Sequence, residues 1–272
     1  MKLVVIPPYR LAGVNFTPTE GHFVLGELIS NMKAKGQLAG VDIDIDEGFP
    51  SEHKGENRDE EVIAAVTVGF LKRVRAVNEM NKYDAIVSSG ATDKGVDAAR
   101  MISKIPITFS VHSSVHMASL IGDRFSIIFL NDALAVQVRH SVELYGLSNK
   151  LVSIRSIGGR STPNVFGLIR RNKKEDRYKD PEVVKLVDDV VSECIKAIEE
   201  DRADTLIIGL GHLQVFIDEI RRRLDEAGYD EIRLICGVAA AVEMAKALVN
   251  LKLSQAPRAY PSGALKAKPK FR

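Results

Sequence analysis

The stretch Asp84-Ala-Ile-Val-Ser-Ser-Gly-Ala-Thr-Asp-Lys-Gly-Val-Asp-Ala-Ala-Arg100 decides the fold class. Residues 85–88 carry no polar alternation and read as a short strand buried on both faces. The strand passes into a loop of hydroxyls, glycine and backbone N–H groups, and a helix follows from Gly95. A second segment, Asp204-Thr-Leu-Ile-Ile-Gly-Leu210, lines up with the start of the first. Further on, Ser114-Val-His-Met-Ala-Ser119 resembles Ala241-Val-Glu-Met-Ala-Lys246. Two matches in the same order favour two related α/β halves. They predict a division into residues 1–110 plus 237–272 and residues 111–236. A ligand would then sit in the crevice between the halves, facing the carboxyl ends of both sheets.

Working outward, strand-like runs alternate with amphipathic stretches along the chain. The strands are expected at 3–6, 41–45, 85–88, 107–109, 126–130, 152–157, 206–208 and 233–235. They are rich in Val, Ile and Leu, as parallel strands covered by helices must be. Thr17-Pro18-Thr19-Glu20 has the pattern of a capping box with proline at the first helical position. Asp180-Pro181 repeats the cap-plus-proline device before a helix over 183–200. Residues 46–59, 158–179 and the tail from 254 are the least regular. The tail is basic and proline-containing, and reads as a solvated terminus or as a strap over a partner or an anion.

Hydrophobic content of 45% with 27% charge excludes a disordered chain, and a net charge of +2 gives no electrostatic case for nucleic acid or an anionic membrane. No apolar run reaches the roughly 18 residues of a membrane helix. Met1-Lys-Leu-Val-Val-Ile6 is too short for the core of a signal peptide, so the cytoplasm is the expected compartment. Cys194 and Cys236 are the only cysteines, which excludes a disulfide framework and a CxxC motif.

The segments at 85–100 and 205–212 closely resemble the two active-site strands and loops of the hydantoin/aspartate/glutamate racemase family. Gly95-Val-Asp-Ala-Ala-Arg100, His116-Met-Ala-Ser-Leu120, Arg124-Phe-Ser126, Tyr145-Gly-Leu147 and Gly237-Val-Ala-Ala-Ala241 extend the resemblance over about 82–260. It implies an enzyme of two pseudo-symmetric parallel-sheet halves, working without a cofactor, as a homo-oligomer, on a small molecule. In that family each active-site strand ends in a catalytic cysteine, one for each face of the substrate carbon. The matching positions here are Gly90 and Leu210. Arylmalonate decarboxylases of the same superfamily resemble a half-way case, with glycine at the first position and cysteine at the second. The family's Asn-Pro-Asn turn after the first strand is replaced by Pro7-Pro8-Tyr9, and Asn15-Phe16-Thr17 would supply similar polar groups after an insertion.

With both thiols gone, either another group carries the proton or no proton chemistry takes place. His212, at the second active-site turn, has a reference pKa of about 6.5 suited to acid–base work near neutrality. His112 stands where hydantoin racemases usually have glutamate, at the expected start of a helix over 113–121, and is assigned with His212 as catalytic. Ser88, Ser89, Gly90, Ala91 and Thr92 form a loop able to hold a carboxylate or oxyanion. Ser113, Leu210, Gly211 and Cys236 complete the expected substrate contacts, and Asp93 is expected to brace the loop. Gly158-Gly159 lacks a nucleotide-binding spacing and reads as a turn. His112 and His116 have no third candidate metal ligand nearby, so no metal is expected. The sequence leaves an isomerase, a lyase, a hydrolase and a catalytically lapsed carboxylate-binding protein open.

Overall fold

The computed structural model describes residues 1–11, 13–51, 60–130, 132–209 and 211–261. The first half runs β1 (Lys2–Ile6), α1 (Phe23–Ala34), β2 (Asp42–Ile45), α2 (Glu60–Met80), β3 (Ala85–Ser88), α3 (Val96–Ile102), β4 (Ile107–Phe109) and α4 (Ser110–Ile121). The second continues with β5 (Phe125–Phe129), α5 (Ala135–Leu144), β6 (Leu151–Ser156), α6 (Thr162–Arg171) and α7 (Pro181–Glu199). It closes with β7 (Thr205–Ile208), α8 (Gly211–Gln214), α9 (Ile217–Glu226), β8 (Arg233–Cys236) and α10 (Gly237–Asn250). All eight expected strands are present, with ends shifted by at most one residue.

Both sheets are wholly parallel and share one topology. Their orders are β2-β1-β3-β4 and β6-β5-β7-β8. The segments that echo each other in sequence therefore occupy equivalent strands, β3 and β7. The aspartate before each does equivalent work: Asp84 accepts from Lys2 N at 2.6 Å, and Asp204 accepts from Arg124 N at 3.0 Å. The echoing helices α4 and α10 pack on each other, and α10 also lies against β3 and β4 of the first sheet.

The strands are apolar because both faces are covered. Leu3 and Val5 join the large core that runs through both halves, whereas Val4 and Ile6 join Phe70, Val74, Val96 and Ile107 beneath α2 and α3. Each such side chain contributes about 1.5–3 kcal/mol when fully buried. The halves are also tied by Arg177, in a short 3-10 turn (Arg177–Lys179), whose two terminal nitrogens reach Glu27 of α1 at 2.6 and 2.7 Å. No helix among the described residues is long and apolar enough to cross a membrane.

Three local expectations change. Thr17 and Glu20 do bond as a cap would, Glu20 N to Thr17 Oγ1 at 3.0 Å, but the backbone closes on itself through a Thr17–Gly21 bridge. Gly21 at φ +62° turns the chain, so α1 starts at Phe23 with His22 as its cap. Helix α4 starts at Ser110, not 113, because the carboxylate of the distant Asp93 accepts the N–H groups of Val111 and His112. The stretch 158–179 contains α6, capped by Ser161 with proline in its first turn. Gly158 and Gly159, both at φ +64°, do form the expected turn. Asp180 caps α7 as expected, accepting from Glu182 N at 2.8 Å.

Candidate active site

Where the carboxyl ends of β1, β3 and β7 meet, a cavity of about 70 Å³ opens between the halves. The first half contributes Pro8, Tyr9, Asn15, His22 and the loop of Ser88, Ser89, Gly90, Ala91 and Thr92. The second contributes Thr162 and Phe166 from α6, with Gly211 and His212 from α8. Val24, Leu25, Val66 and Phe70 add apolar wall, and Lys94 also lines the cavity. The cavity is partly open to solvent, so a small ring can enter it without being wholly enclosed.

The loop after β3 is held from behind. Ser89 N donates to Ile6 O at 3.2 Å, fixing the loop to β1, and Ser110 Oγ donates to Ser88 O at 2.9 Å. Asp93, in a left-handed conformation at φ +47°, turns its carboxylate away from the cavity onto α4 and the Tyr145 hydroxyl, at 2.9 Å from the latter. Burial pushes Asp93 up to about 6 against these bonds, so the brace expected from the sequence is a strained one. The N–H groups of Gly90, Ala91 and Thr92 have no acceptor among the described residues. They form a donor array suited to an oxyanion.

At Gly90 a Cβ would lie 3.7 Å from Ser88 Oγ and 3.8 Å from Pro8 Cβ, which is ordinary contact. Close approach of the backbone therefore does not require glycine here. Gly209 differs: a Cβ there would come within 2.7 Å of the Phe129 ring.

His212 is 5% exposed at the first turn of α8, with its ring 5.1 Å from that of Phe166. His22, its ring 6.3 Å from the same phenyl ring, is a crevice residue that the sequence reading missed. Thr162 and Phe166 were missed as well. Ser161-Thr162-Pro163, followed by Val165, Phe166, Leu168 and Ile169, is the cap and periodicity that would have located them. Asn15 reaches the cavity wall as anticipated, but its amide serves its own loop, accepting from Leu11 N at 2.8 Å and donating to Tyr9 O at 3.2 Å.

Three expected site residues do not line the crevice. His112 lies beyond Asp93, its ring 4.2 Å from that of His116 and 4.8 Å from that of Tyr145. Burial, then the charges of His116 and Arg100, push it down to about 3. Because α4 begins a turn early, Ser113 points into the core and donates to Met244 Sδ at 3.6 Å. Cys236 faces a separate cavity of about 420 Å³ beside α1 and α9, its thiol donating to Gln214 Oε1 at 3.1 Å. Burial pushes that thiol up to about 11. Cys194 is buried in α7 and pushed up to about 12. Leu210 lies outside the described residues. Among the described residues no group of three His, Cys, Asp or Glu side chains has the arrangement of a metal site.

Residues 49–245 match the family described as Asp/Glu/Hydantoin racemase. A hydantoin racemase from Pseudomonas sp. (strain NS671) is 28% identical over 183 residues, covering 67% of this chain and 65% of the relative. The match thus spans slightly less than two-thirds of that protein's length. Allantoin racemases from Pseudomonas fluorescens and Klebsiella pneumoniae share the fold, with TM-scores of 0.73 and 0.69 and identities of 20% and 23%. The first likeness covers 96% of this chain and 97% of the other, the second 94% and 90%. His22 and the Pro8-Tyr9 turn lie ahead of the family match.

Proposed function

The chain belongs to the Asp/Glu/hydantoin racemase family, and from that premise we propose that it is an isomerase or lyase working through a histidine, not through paired thiols. Its substrate is a small cyclic amide, imide or carboxylate, and the reaction takes place at the carbon beside a carbonyl. The observation that carries this reading is His212 in one cavity with the loop of residues 88–92, while both cysteines of the chain lie elsewhere. Gly90 and Leu210 hold the positions that the family resemblance gives to the two thiols.

In the isomerase form, the neutral imidazole of His212 takes the proton from carbon. The C–H electron pair moves into the carbonyl, and the N–H groups of Gly90, Ala91 and Thr92 hold the resulting oxyanion. The imidazolium then delivers the proton to a different atom of the delocalised oxyanion, shifting the double bond, since return to the same face of the same carbon would only regenerate the substrate. In the lyase form, the pair comes from a C–C bond whose carboxylate leaves as carbon dioxide, and protonated His212 supplies the new hydrogen. Either way proton transfer occurs from one side only.

Unsubstituted hydantoin tests this, because its two C5 hydrogens are mirror-related. In deuterated buffer the protein should exchange one C5 hydrogen and leave the other, as read by proton NMR. Loss of both at equal rates would require carriers on both faces and overturn the one-sided assignment. Binding of hydantoin and small carboxylates with no exchange or decarboxylation would favour the lapsed binding protein. The apolar wall of Val24, Leu25, Val66 and Phe70 supports that second reading.

A further inference from the structure

We propose that His22 is the electrophile of the crevice, a neutral imidazole whose Nε2–H donates to a carbonyl or carboxylate oxygen of the ligand. The inference rests on the crevice being the ligand site. It adds a second contact group with a task distinct from that of His212.

The first turn of α1 has no acidic residue, and the acceptor its N-terminus needs is supplied by His22 Nδ1, which receives Leu25 N at 3.4 Å. A nitrogen that accepts carries no hydrogen, so the neutral ring keeps its proton on Nε2. This bond favours the Nε2–H tautomer. That Nε2 has no acceptor among the described residues, while the side chain lines the cavity. The Nε2 is not sealed within the protein, so an oxygen entering the cavity can accept its hydrogen.

The charge state fits the role. Burial pushes His22 down to about 4, and a helix N-terminus also disfavours a cation. At neutral pH the ring is therefore a donor that gives up no proton. It can polarise a carbonyl, but it cannot serve as the acid of the lyase form, the task given to His212. Two imidazoles, each near the Phe166 ring, are thus divided into a fixed electrophile and a proton carrier. The sequence points to His22 only through its consequence: Gly21 ends the preceding turn, and the next residue must cap α1.

The test compares His22→Ser with His22→Asn. Serine and asparagine are both good helix caps, so both variants should melt with the wild type. Serine is too short to reach the ligand, and loss of one oxyanion donor lowers turnover by about 10²–10³-fold. Asparagine keeps an N–H and should recover part of that loss. Neither change should move the pH at which activity falls, since that titration belongs to another group. Full activity in His22→Ser, or a shifted pH profile, overturns the proposal.

A second measurement keeps the test separate from the reaction itself. In the full chain labelled with 15N-histidine, His22 should show the Nε2–H tautomer, no titration near 6.5, and a shift on adding hydantoin or malonate. A titration near 6.5, the other tautomer, or no shift with either probe overturns the proposal. C5 exchange without a His22 shift leaves the proton-transfer reading standing and removes His22. A His22 shift without exchange does the reverse.

Discussion

Replacing Glu27 by glutamine neutralises the carboxylate that both terminal nitrogens of Arg177 reach, at 2.6 and 2.7 Å. The arginine side chain is 3% exposed and its guanidinium lies 5.5 Å from the centre of the Phe216 ring, so water cannot take over the lost charge. Removing one partner of a buried pair costs about 3–5 kcal/mol, chiefly because the other charge is stranded. For a chain of this length about 2 °C of melting temperature corresponds to 1 kcal/mol, which gives a fall of about 6–10 °C. The double variant Glu27→Leu/Arg177→Met strands nothing and should lie much closer to the wild type, since apolar replacement of a buried pair is often neutral. Calorimetry on the wild type and these two variants checks the arithmetic. If Glu27→Gln melts within about 2 °C of the wild type, the pair contributes no more than a surface bridge and the reasoning fails.

Other expectations follow from the crevice and its supports. His212→Asn should lower turnover by about 10²–10⁴-fold without unfolding the protein, whereas His140→Asn, on the exposed side of α5, should leave it unchanged; equal effects would refute the assignment. Gly90→Cys should fold normally and be alkylated by iodoacetamide far faster than Cys194 or Cys236, whose burial holds both thiols protonated; no gain in labelling would place residue 90 outside the accessible crevice. Gly209→Ala should destabilise by about 1–3 kcal/mol in urea unfolding, because its methyl group meets the Phe129 ring.

The pH dependence of stability has two opposing parts. His22 and His112 are held neutral, down at about 4 and about 3, so their contribution is full above the unfolded value near 6.5 and drains as pH falls toward 4. Asp93, raised to about 6, contributes fully below about 3.9 and loses that contribution as pH rises through 6. His112→Asn should therefore flatten the acid loss between pH 6.5 and 4 in urea titrations. An unchanged slope would mean that the ring is not held neutral.

The sequence was most legible where physics acts locally. The strands were readable because parallel strands covered on both faces carry unbroken apolar runs, as in Ala85 to Ser88. Asp180-Pro181 was readable because the cap bond spans two residues. The start of α4 was not, because its cap comes from Asp93, eighteen residues before Val111. That one distant carboxylate, through its two bonds, sets the helix one turn early and carries Ser113 into the core. In the site, residues 88–92, Gly211 and His212 were within reach because they follow strand ends in a known topology. His22 and Phe166 were not, because they come from a helix start shifted by a glycine turn and from a helix inside an apparently irregular stretch.

The return of α10 to the first sheet orders events during synthesis. Strands β5 to β8 are contiguous in the chain, so the second sheet has all its strands once Cys236 has emerged. The first sheet has its four strands by Phe109, but the face covered by α10 stays open for more than a hundred further residues. Until Ala241 arrives, the Thr108 hydroxyl lacks the carbonyl it bonds at 2.8 Å. An apolar surface waiting that long on the ribosome, at about 5–20 residues per second, is exposed for several seconds. The earliest-made half of this protein is thus the last to be finished, and it is the part of the nascent chain with most need of a chaperone.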